Sequence, residues 1–491
     1  MPLQSRSSRI DGLAIFAAAT FALGLATIMA LDRVVAPEGL IRAAGPIFTL
    51  VAATLIGLGA RNADLASFMA AGRLISPFYG ALSIVGLAAG FAICLYPGLA
   101  FSSDPPLPGV FAGIALGATV SGPLLRRFGA AAQADLIATR FARSPVRMAS
   151  AIVIWATAAL TAFAGFQLAV LATQSLVTSS RLWAETIVAL ALLLSVTPGG
   201  LTGVVVSSAA SAGAVAMIAL VGLAAGWRLG MSPPNLEALA RASFAHDSPI
   251  LPGPLVATTL AVAGFFIFEP AAVASRNTGA ALKLGLVAVI FCAALTAAVA
   301  AALSVFPIDL DSNGSNPVAA SFLGAAILAS ALALARAGVQ ASSRALGVAL
   351  ASPPKPFPTL ASVRLARMRA VQAVVVVGCA IVDSRGLLEA RTALILAMAA
   401  SMALTVPLAI LAAISRVGPV SASVSMLATL ATVVYQAASV THMPSAAELF
   451  EGALMAAAAG FVAGALTCLV APRRGPAPTP GEFDPFADPS S

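Results

Sequence analysis

The chain has 491 residues, of which 60% are hydrophobic and only 9% are charged, and its mean hydropathy is +0.98. This composition lies far outside the range of soluble globular proteins and predicts a protein embedded in a lipid bilayer. The net charge of +8 does not indicate nucleic-acid binding. The basic residues stand at the borders of apolar segments and form no patch interleaved with aromatic residues.

Fourteen apolar segments are candidates for membrane-spanning helices. A helix needs about 20 apolar residues to cross the hydrocarbon core, because unpaired backbone groups are not tolerated in lipid. The weakest candidate is Ala370 to Val382, which Arg367 and Arg369 would lengthen by snorkelling. In chain order, the segments are Gly12 to Leu31, Ala43 to Ala60, Ile75 to Ala100, Pro108 to Leu125, Met148 to Thr173, Leu182 to Val196, Thr202 to Trp227, Leu251 to Phe268, Leu284 to Phe306, Pro317 to Ala335, Ala370 to Val382, Ala393 to Ser415, Val420 to Ser439 and Leu449 to Ala471.

The basic residues alternate between the connections of these segments. Of the 27 Lys and Arg residues, 20 fall on every second connection and 7 on the others. Because cytoplasmic loops carry the excess of Lys and Arg, the pattern predicts a multi-pass protein of the plasma (inner) membrane with both termini in the cytoplasm. Basic residues precede the first segment, as in a secretory signal, but no convincing cleavage site follows, so a retained helix is expected.

Primary pumps and enzymes are not expected from this sequence. The chain contains no GxxxxGK[ST] phosphate-binding loop, and no connection is long enough for a separate soluble domain. No cofactor and no metal site are expected. The residues after Arg474 are rich in proline and end with acidic residues, which is typical of a disordered tail.

Two stretches carry a resemblance to a known family. From Ala63 the chain reads ADLASFMAAGRLISPFYGALSIVG, and from Leu124 it reads LLRRFGAAAQADLIATRF. Phe166 and Gln167 follow in the next segment, and residues 198–201 read PGGL. These motifs resemble those of the sodium:solute symporter family, in their order along the chain and in the side of the membrane on which each lies. They are closest to the acetate and monocarboxylate permease branch of that family. The resemblance covers most of the chain.

The resemblance implies an all-α polytopic membrane protein whose core consists of two inverted five-helix repeats, like that of amino-acid transporters. Substrate and cation sites in such transporters lie at broken helices near the bilayer midplane. The implied divisions are peripheral helices in residues 1–60, a core in residues 61–418 with repeats at about 75–227 and 251–415, peripheral helices in residues 419–472, and a tail in residues 473–491.

The sodium site of the family is incomplete in this chain. The resemblance places the carbonyl donors of the first core helix at Gly86 and Ala89, and the eighth-helix positions at Ser330, Ala333 and Leu334. The last two would carry hydroxyl groups in the family, and here both are apolar. Since sodium needs several oxygen ligands to replace its water shell, sodium binding of the family's kind is not expected.

Arg336 stands where the family has an acidic residue. An intramembrane charge is costly and often functional. One interpretation is a snorkelling anchor near the cytoplasmic boundary, and the other is that its guanidinium substitutes for the missing cation.

Glu269 is an isolated acid next to Pro270, in the first helix of the second repeat. A carboxyl group in a low-dielectric site is able to carry a proton across a membrane. The alternative is an interfacial acid that pairs with Arg276.

Three further positions are candidate substrate contacts: Ser83 and Leu87 on the first core helix, and Gln167, which matches a family glutamine. For the two polar residues, hydrogen bonds between packed helices are an equal alternative.

Two functions remain open at this point. The first is a secondary transporter of a small organic solute that works by alternating access, with a monocarboxylate such as acetate as the expected substrate. Coupling to sodium is not favoured, while coupling to protons, exchange and facilitated diffusion stay open. The second is a receptor-like or accessory membrane protein that kept the scaffold and lost transport. Uptake measurements separate the two.

Overall fold

The computed structural model describes residues 3–62, 64–96, 105–128, 133–141, 145–177, 180–228, 252–265, 269–305, 317–349, 359–414, 417–439 and 445–470. Across these ranges the chain is helical and contains no strand, apart from one isolated backbone bridge between Ile75 and Ser275. The all-α prediction is confirmed. The predicted tail, residues 473–491, lies outside the described residues.

The helices are numbered here in chain order. A 3₁₀ turn, Ala71–Arg73, follows α3, and the π-helical turns Gly117–Ser121 and Ser401–Thr405 join α5 to α6 and α15 to α16. The α-helices are α1 (Leu3–Arg33), α2 (Glu38–Gly59), α3 (Leu65–Ala70), α4 (Pro77–Leu95), α5 (Leu107–Leu116), α6 (Gly122–Phe128), α7 (Gln133–Arg140), α8 (Pro145–Val177), α9 (Arg181–Arg228), α10 (Pro252–Ala263), α11 (Glu269–Val273), α12 (Thr278–Val305), α13 (Pro317–Ala349), α14 (Thr359–Ser384), α15 (Ala390–Ala400), α16 (Val406–Ala413), α17 (Pro419–Ser439) and α18 (Ala446–Val470).

Every predicted segment coincides with one of these helices or helix pairs. Within the described ranges, 11 helices are long and apolar enough to cross a membrane. That number counts α9 as one helix, and it omits α10, which has 12 residues, and α17, which has 21. Since α9 contains two of the predicted segments, the observed helices account for all fourteen.

Two helices extend more than ten residues beyond the predicted segments, because they continue past arginines that resemble loop residues in the sequence. The segment ending at Ala335 continues as α13 to Ala349, and the segment beginning at Ala370 starts as α14 at Thr359. Protein contacts accommodate the arginines. Arg369, for example, does not snorkel but donates hydrogen bonds to backbone carbonyls of α9 and of the loop after α2, at 3.0 and 2.9 Å.

A turn at Gly200 divides α9, whose 48 residues would otherwise be far longer than a membrane is thick. Gly200 has φ 52° and ψ −142°, a region that only glycine adopts without strain. A Cβ atom there would also collide with Phe68 of α3. The chain therefore turns within the PGGL stretch of residues 198–201, and the glycine is needed for both the backbone conformation and the close approach of α3.

We expect Gly200→Ala to destabilise the protein by about 1–3 kcal/mol, because alanine cannot adopt this conformation without strain. Gly378→Ala is the matched control, since nothing lies within 4 Å of a Cβ at that helical position. The midpoint of thermal unfolding in detergent should fall for Gly200→Ala only. Equal midpoints for the two variants would contradict the required turn.

Helices α8 and α13 pack along each other through small residues. A Cβ atom at Gly165 of α8 would collide with the backbone of Ala331 and Ala335, and one at Gly338 of α13 would collide with Ala162. Small residues let helix backbones approach closely, which is the usual source of helix association in lipid. This contact holds α13 in place as the support for the site described next.

Candidate functional site

The positions matched to the sodium site come together where α4 crosses α9 and α13. A Cβ atom at Gly86 would collide with the carbonyl group of Ser208 on α9, and one at Gly90 would collide with Ser330 and contact Leu334 on α13. The two glycines therefore bring the α4 backbone directly against both neighbouring helices. We call this contact the α4 crossing.

The α4 crossing lacks the features that hold a cation in the family. Ser330, Ala333 and Leu334 are fully buried, and the last two supply only apolar side chains. The resemblance implies a broken first core helix, but α4 is continuous from Pro77 to Leu95. In a continuous helix, the carbonyls of Gly86 and Ala89 accept hydrogen bonds from the N–H groups four residues later. Each of these carbonyls therefore already has a hydrogen-bond partner within α4.

Three buried hydroxyl groups lie on the helices of the crossing: Ser83 on α4, Ser208 on α9 and Ser330 on α13. Each is fully buried, and none of the three oxygens has a hydrogen-bond partner in the described structure. A buried hydroxyl without a partner costs about 1–3 kcal/mol, which makes these groups candidate contacts for a polar solute. Leu87 is also fully buried on α4. Ser208 was not predicted, although serines at positions 207, 208 and 211 of an apolar segment were a usable signal.

The first helix of the second repeat is interrupted, as the resemblance implies. Helix α10 ends at Ala263 and α11 begins at Glu269. Near the end of α10, the carbonyl of Gly264 accepts hydrogen bonds from Gln133 Nε2 and Ser401 Oγ, both at 3.3 Å. Side chains from α7 and from the turn before α16 therefore satisfy a backbone group that the interruption exposes.

Glu269 is the first residue after this interruption. Its side chain is buried, with 5% of the residue exposed, and Oε2 accepts a hydrogen bond of 3.3 Å from the backbone N–H of Gln133. Arg276 is exposed, and the described residues show no ion pair between it and Glu269. The predicted pairing is thus not formed, and the carboxylate instead links the interrupted helix to α7.

An arginine of the LRRF motif holds the other end of α11. Arg126 donates from Nε to the carbonyl of Ser275 at 3.0 Å and from Nη2 to the carbonyl of Arg276 at 2.6 Å. The backbone of Ile75, just before α4, donates to the carbonyl of Ala274 at 3.1 Å. The starts of the two repeats are therefore tied together beside the interruption.

Gln167 is part of a buried polar cluster that joins α8, α9 and α14. Its Nε2 donates to Asp383 Oδ1 at 2.8 Å and to the carbonyl of Leu388 at 3.1 Å. Arg181 donates to the same Asp383 oxygen at 2.9 Å and to Glu185 at 3.2 Å. Both amide hydrogens of Gln167 are therefore in use between helices. Sequence analysis did not identify Asp383, because its partners lie about 200 residues earlier in the chain.

Arg336 is enclosed by protein and does not reach an aqueous boundary, since 2% of the residue is exposed. The snorkelling interpretation is therefore wrong. Arg336 Nε donates to Ser195 Oγ on α9 at 2.9 Å. Residues two apart in a helix do not face each other, so Arg336 and Leu334 lie on different faces of α13. The guanidinium points toward α2 and α9, away from the α4 crossing.

Solved transporters share this arrangement of helices. A Na⁺-coupled sialic acid symporter, in a substrate-bound outward-open state, aligns with a TM-score of 0.67 at 14% identity, over 89% of this chain and 99% of that one. A nucleobase-cation-symport-1 family transporter, in a closed conformation with bromovinylhydantoin bound, aligns with a TM-score of 0.54 at 17% identity, over 85% and 98%. The chain has the fold of an inverted-repeat transporter.

At these identities the likeness concerns the fold. No protein-family model and no curated protein matches the sequence. One of the two structures is a sialic acid symporter and the other is a nucleobase-cation-symport-1 family transporter. Neither is a monocarboxylate permease, so the assignment to that branch stays a prediction.

Proposed function

We propose that this protein is a secondary transporter of a small organic solute, that its substrate is a monocarboxylate such as acetate, and that it works by alternating access. The observation that carries the proposal is the interrupted helix α10–α11 within an inverted-repeat core. Interrupted helices in such cores place backbone groups next to the solute, where rocking of one repeat against the other opens the site to each side in turn.

The hydrogen bonds around the interruption suit such a movement. The carbonyl of Gly264 is held by side chains of Gln133 and Ser401, which belong to different helices. Side-chain contacts of this kind can exchange one by one as helices tilt, whereas a continuous helix would have to break its backbone ladder. The monocarboxylate assignment rests on the motif resemblance, and hydroxyl donors such as Ser83, Ser208 and Ser330 are suitable partners for a carboxylate.

Sodium at the family's position is not part of the proposal. The two positions that carry hydroxyl groups in the family are Ala333 and Leu334 here, and the carbonyls of Gly86 and Ala89 lie inside a continuous helix. The backbones of α4 and α13 are also in contact at Gly90. We propose protons as the coupling ion, with Glu269 as the carrier, because this carboxyl group is buried beside the interruption. The remaining parts of the proposal are the plasma (inner) membrane location and cytoplasmic termini, which rest on the charge pattern.

Counterflow in proteoliposomes tests the proposal. Vesicles loaded with unlabelled acetate, and diluted into labelled acetate, should accumulate label faster than protein-free vesicles that account for passive leak. Pyruvate, lactate and propionate serve as further candidates. Absence of counterflow for every small acid, together with a reproducible partner in pull-down experiments, would favour the receptor-like alternative.

A further inference from the structure

The charge of Arg336 has no counterpart in the described structure. Arg336 is the twentieth residue of α13 and is almost completely buried. Its only hydrogen bond goes from Nε to the neutral hydroxyl of Ser195, and Nη2 has no partner. Among the described residues, no carboxylate lies within ion-pair distance of it.

Two less buried arginines, Arg181 and Arg369, do have partners among the described residues. Arg181 pairs with Asp383 at 2.9 Å, and Arg369 donates to the backbone carbonyls of Thr197 and Asn62. A buried ion without a partner is costly, because the interior cannot replace the hydration that the charge loses. Since none of the described residues supplies a compensating charge, a bound anion is the expected partner of Arg336.

A cavity lies next to the guanidinium. It lies between α1, α2, α9 and α13, it has room for the centre of a water-sized molecule over about 10 Å³, and no acidic residue lines it. Two hydroxyl groups line it, and each now donates to a carbonyl of its own helix, Thr49 Oγ1 to Gly45 at 2.9 Å and Ser207 Oγ to Val204 at 3.1 Å. The complete lining is Phe21, Thr49, Ala53, Ile56, Ser207, Ala210, Ala329, Leu332 and Arg336.

We propose that Arg336 binds a small monovalent inorganic anion of about the size of chloride in this cavity. The guanidinium supplies the charge and a free N–H donor, and the hydroxyls of Thr49 and Ser207 can turn to face the ion. The apolar remainder of the lining suits a weakly hydrated ion better than a polyvalent one. Because Arg336 points away from the α4 crossing, this anion acts as a fixed counterion that holds α13 against α2 and α9. It is not the transported solute.

Thermal unfolding of the purified full-length protein in detergent tests the proposal. The midpoint should be higher in chloride or bromide than in gluconate at equal ionic strength, since an ion that binds only the folded state stabilises it. Arg336→Gln should remove this response. Thr49→Asp should also remove it, because the new carboxylate replaces the anion, and its midpoint in gluconate should approach that of the unaltered protein in chloride. Arg369→Gln is the matched control, and its response to chloride should persist even if its midpoint is lower.

Crystals grown in bromide should show one anomalous peak beside Arg336. The proposal is overturned if the unaltered protein has the same midpoint in chloride and gluconate, or if Arg336→Gln responds to chloride as fully as the unaltered protein does. A rise with acetate but not with chloride would also overturn it, because the site would then select a carboxylate. If Arg336→Gln does not fold, Thr49→Asp and the bromide crystals still decide.

Discussion

Glu269→Gln is expected to abolish the accumulation of substrate driven by an inward proton gradient, while counterflow continues at close to its original rate. Glutamine keeps the shape of the side chain and the acceptor for the N–H of Gln133, but it cannot take up or release a proton. In counterflow the carrier crosses the membrane with solute bound in both directions, so no net movement of protons is needed. The two measurements should therefore separate in this variant.

Initial rates of labelled acetate uptake, with and without a pH gradient, measure the first quantity, and counterflow measures the second. Glu38→Gln is the control, because Glu38 is a carboxylate with 72% of its side chain exposed, and neither quantity should change. A parallel fall of both quantities in Glu269→Gln would assign Glu269 a structural role between α11 and α7. An unchanged response to the gradient would contradict the proton-carrier proposal outright.

Asp383→Ala is expected to produce the largest loss of stability among single substitutions in the polar interior. Asp383 is fully buried, and one of its oxygens accepts hydrogen bonds from both Gln167 and Arg181. Removing one partner of a buried pair costs about 3–5 kcal/mol. Since 44% of the Arg181 side chain is exposed and can turn toward solvent, a loss of about 2–3 kcal/mol is the expected result here.

The midpoint of thermal unfolding of the purified protein measures this loss. Asp383→Asn is the graded control, because it keeps an acceptor for Gln167 and loses only the charge, so its midpoint should lie between those of Asp383→Ala and the unaltered protein. Gln167→Leu should lower the midpoint with little change in the KM for substrate. A raised KM with an unchanged midpoint would instead return Gln167 to the role of substrate contact.

The number and order of the helices could be predicted because hydropathy is a local property. Fourteen apolar segments appear as helices, and the PGGL motif marks the turn at Gly200. The ends of α13 and α14 were missed because an arginine inside a membrane segment resembles a loop residue when its partners are unknown. Those partners, such as the carbonyls that hold Arg369, come from distant parts of the chain.

The site was predicted less completely, and for the same reason. The motif resemblance selected Gly86 and Ser330, which do lie at one helix crossing. The resemblance could not indicate that α4 is continuous, since a broken helix has no required sequence signal. It also could not indicate which face of α13 carries Arg336, or that Asp383 is the partner of Gln167. Those features depend on helix rotation and on contacts between residues far apart in sequence.

We propose that this protein transports its solute without sodium at the α4 crossing. The most direct test is the initial rate of labelled acetate uptake into proteoliposomes, measured with external sodium and with sodium fully replaced by N-methylglucamine at a constant pH gradient. We predict equal rates in the two media. A rate that falls to that of protein-free vesicles when sodium is removed would contradict the claim.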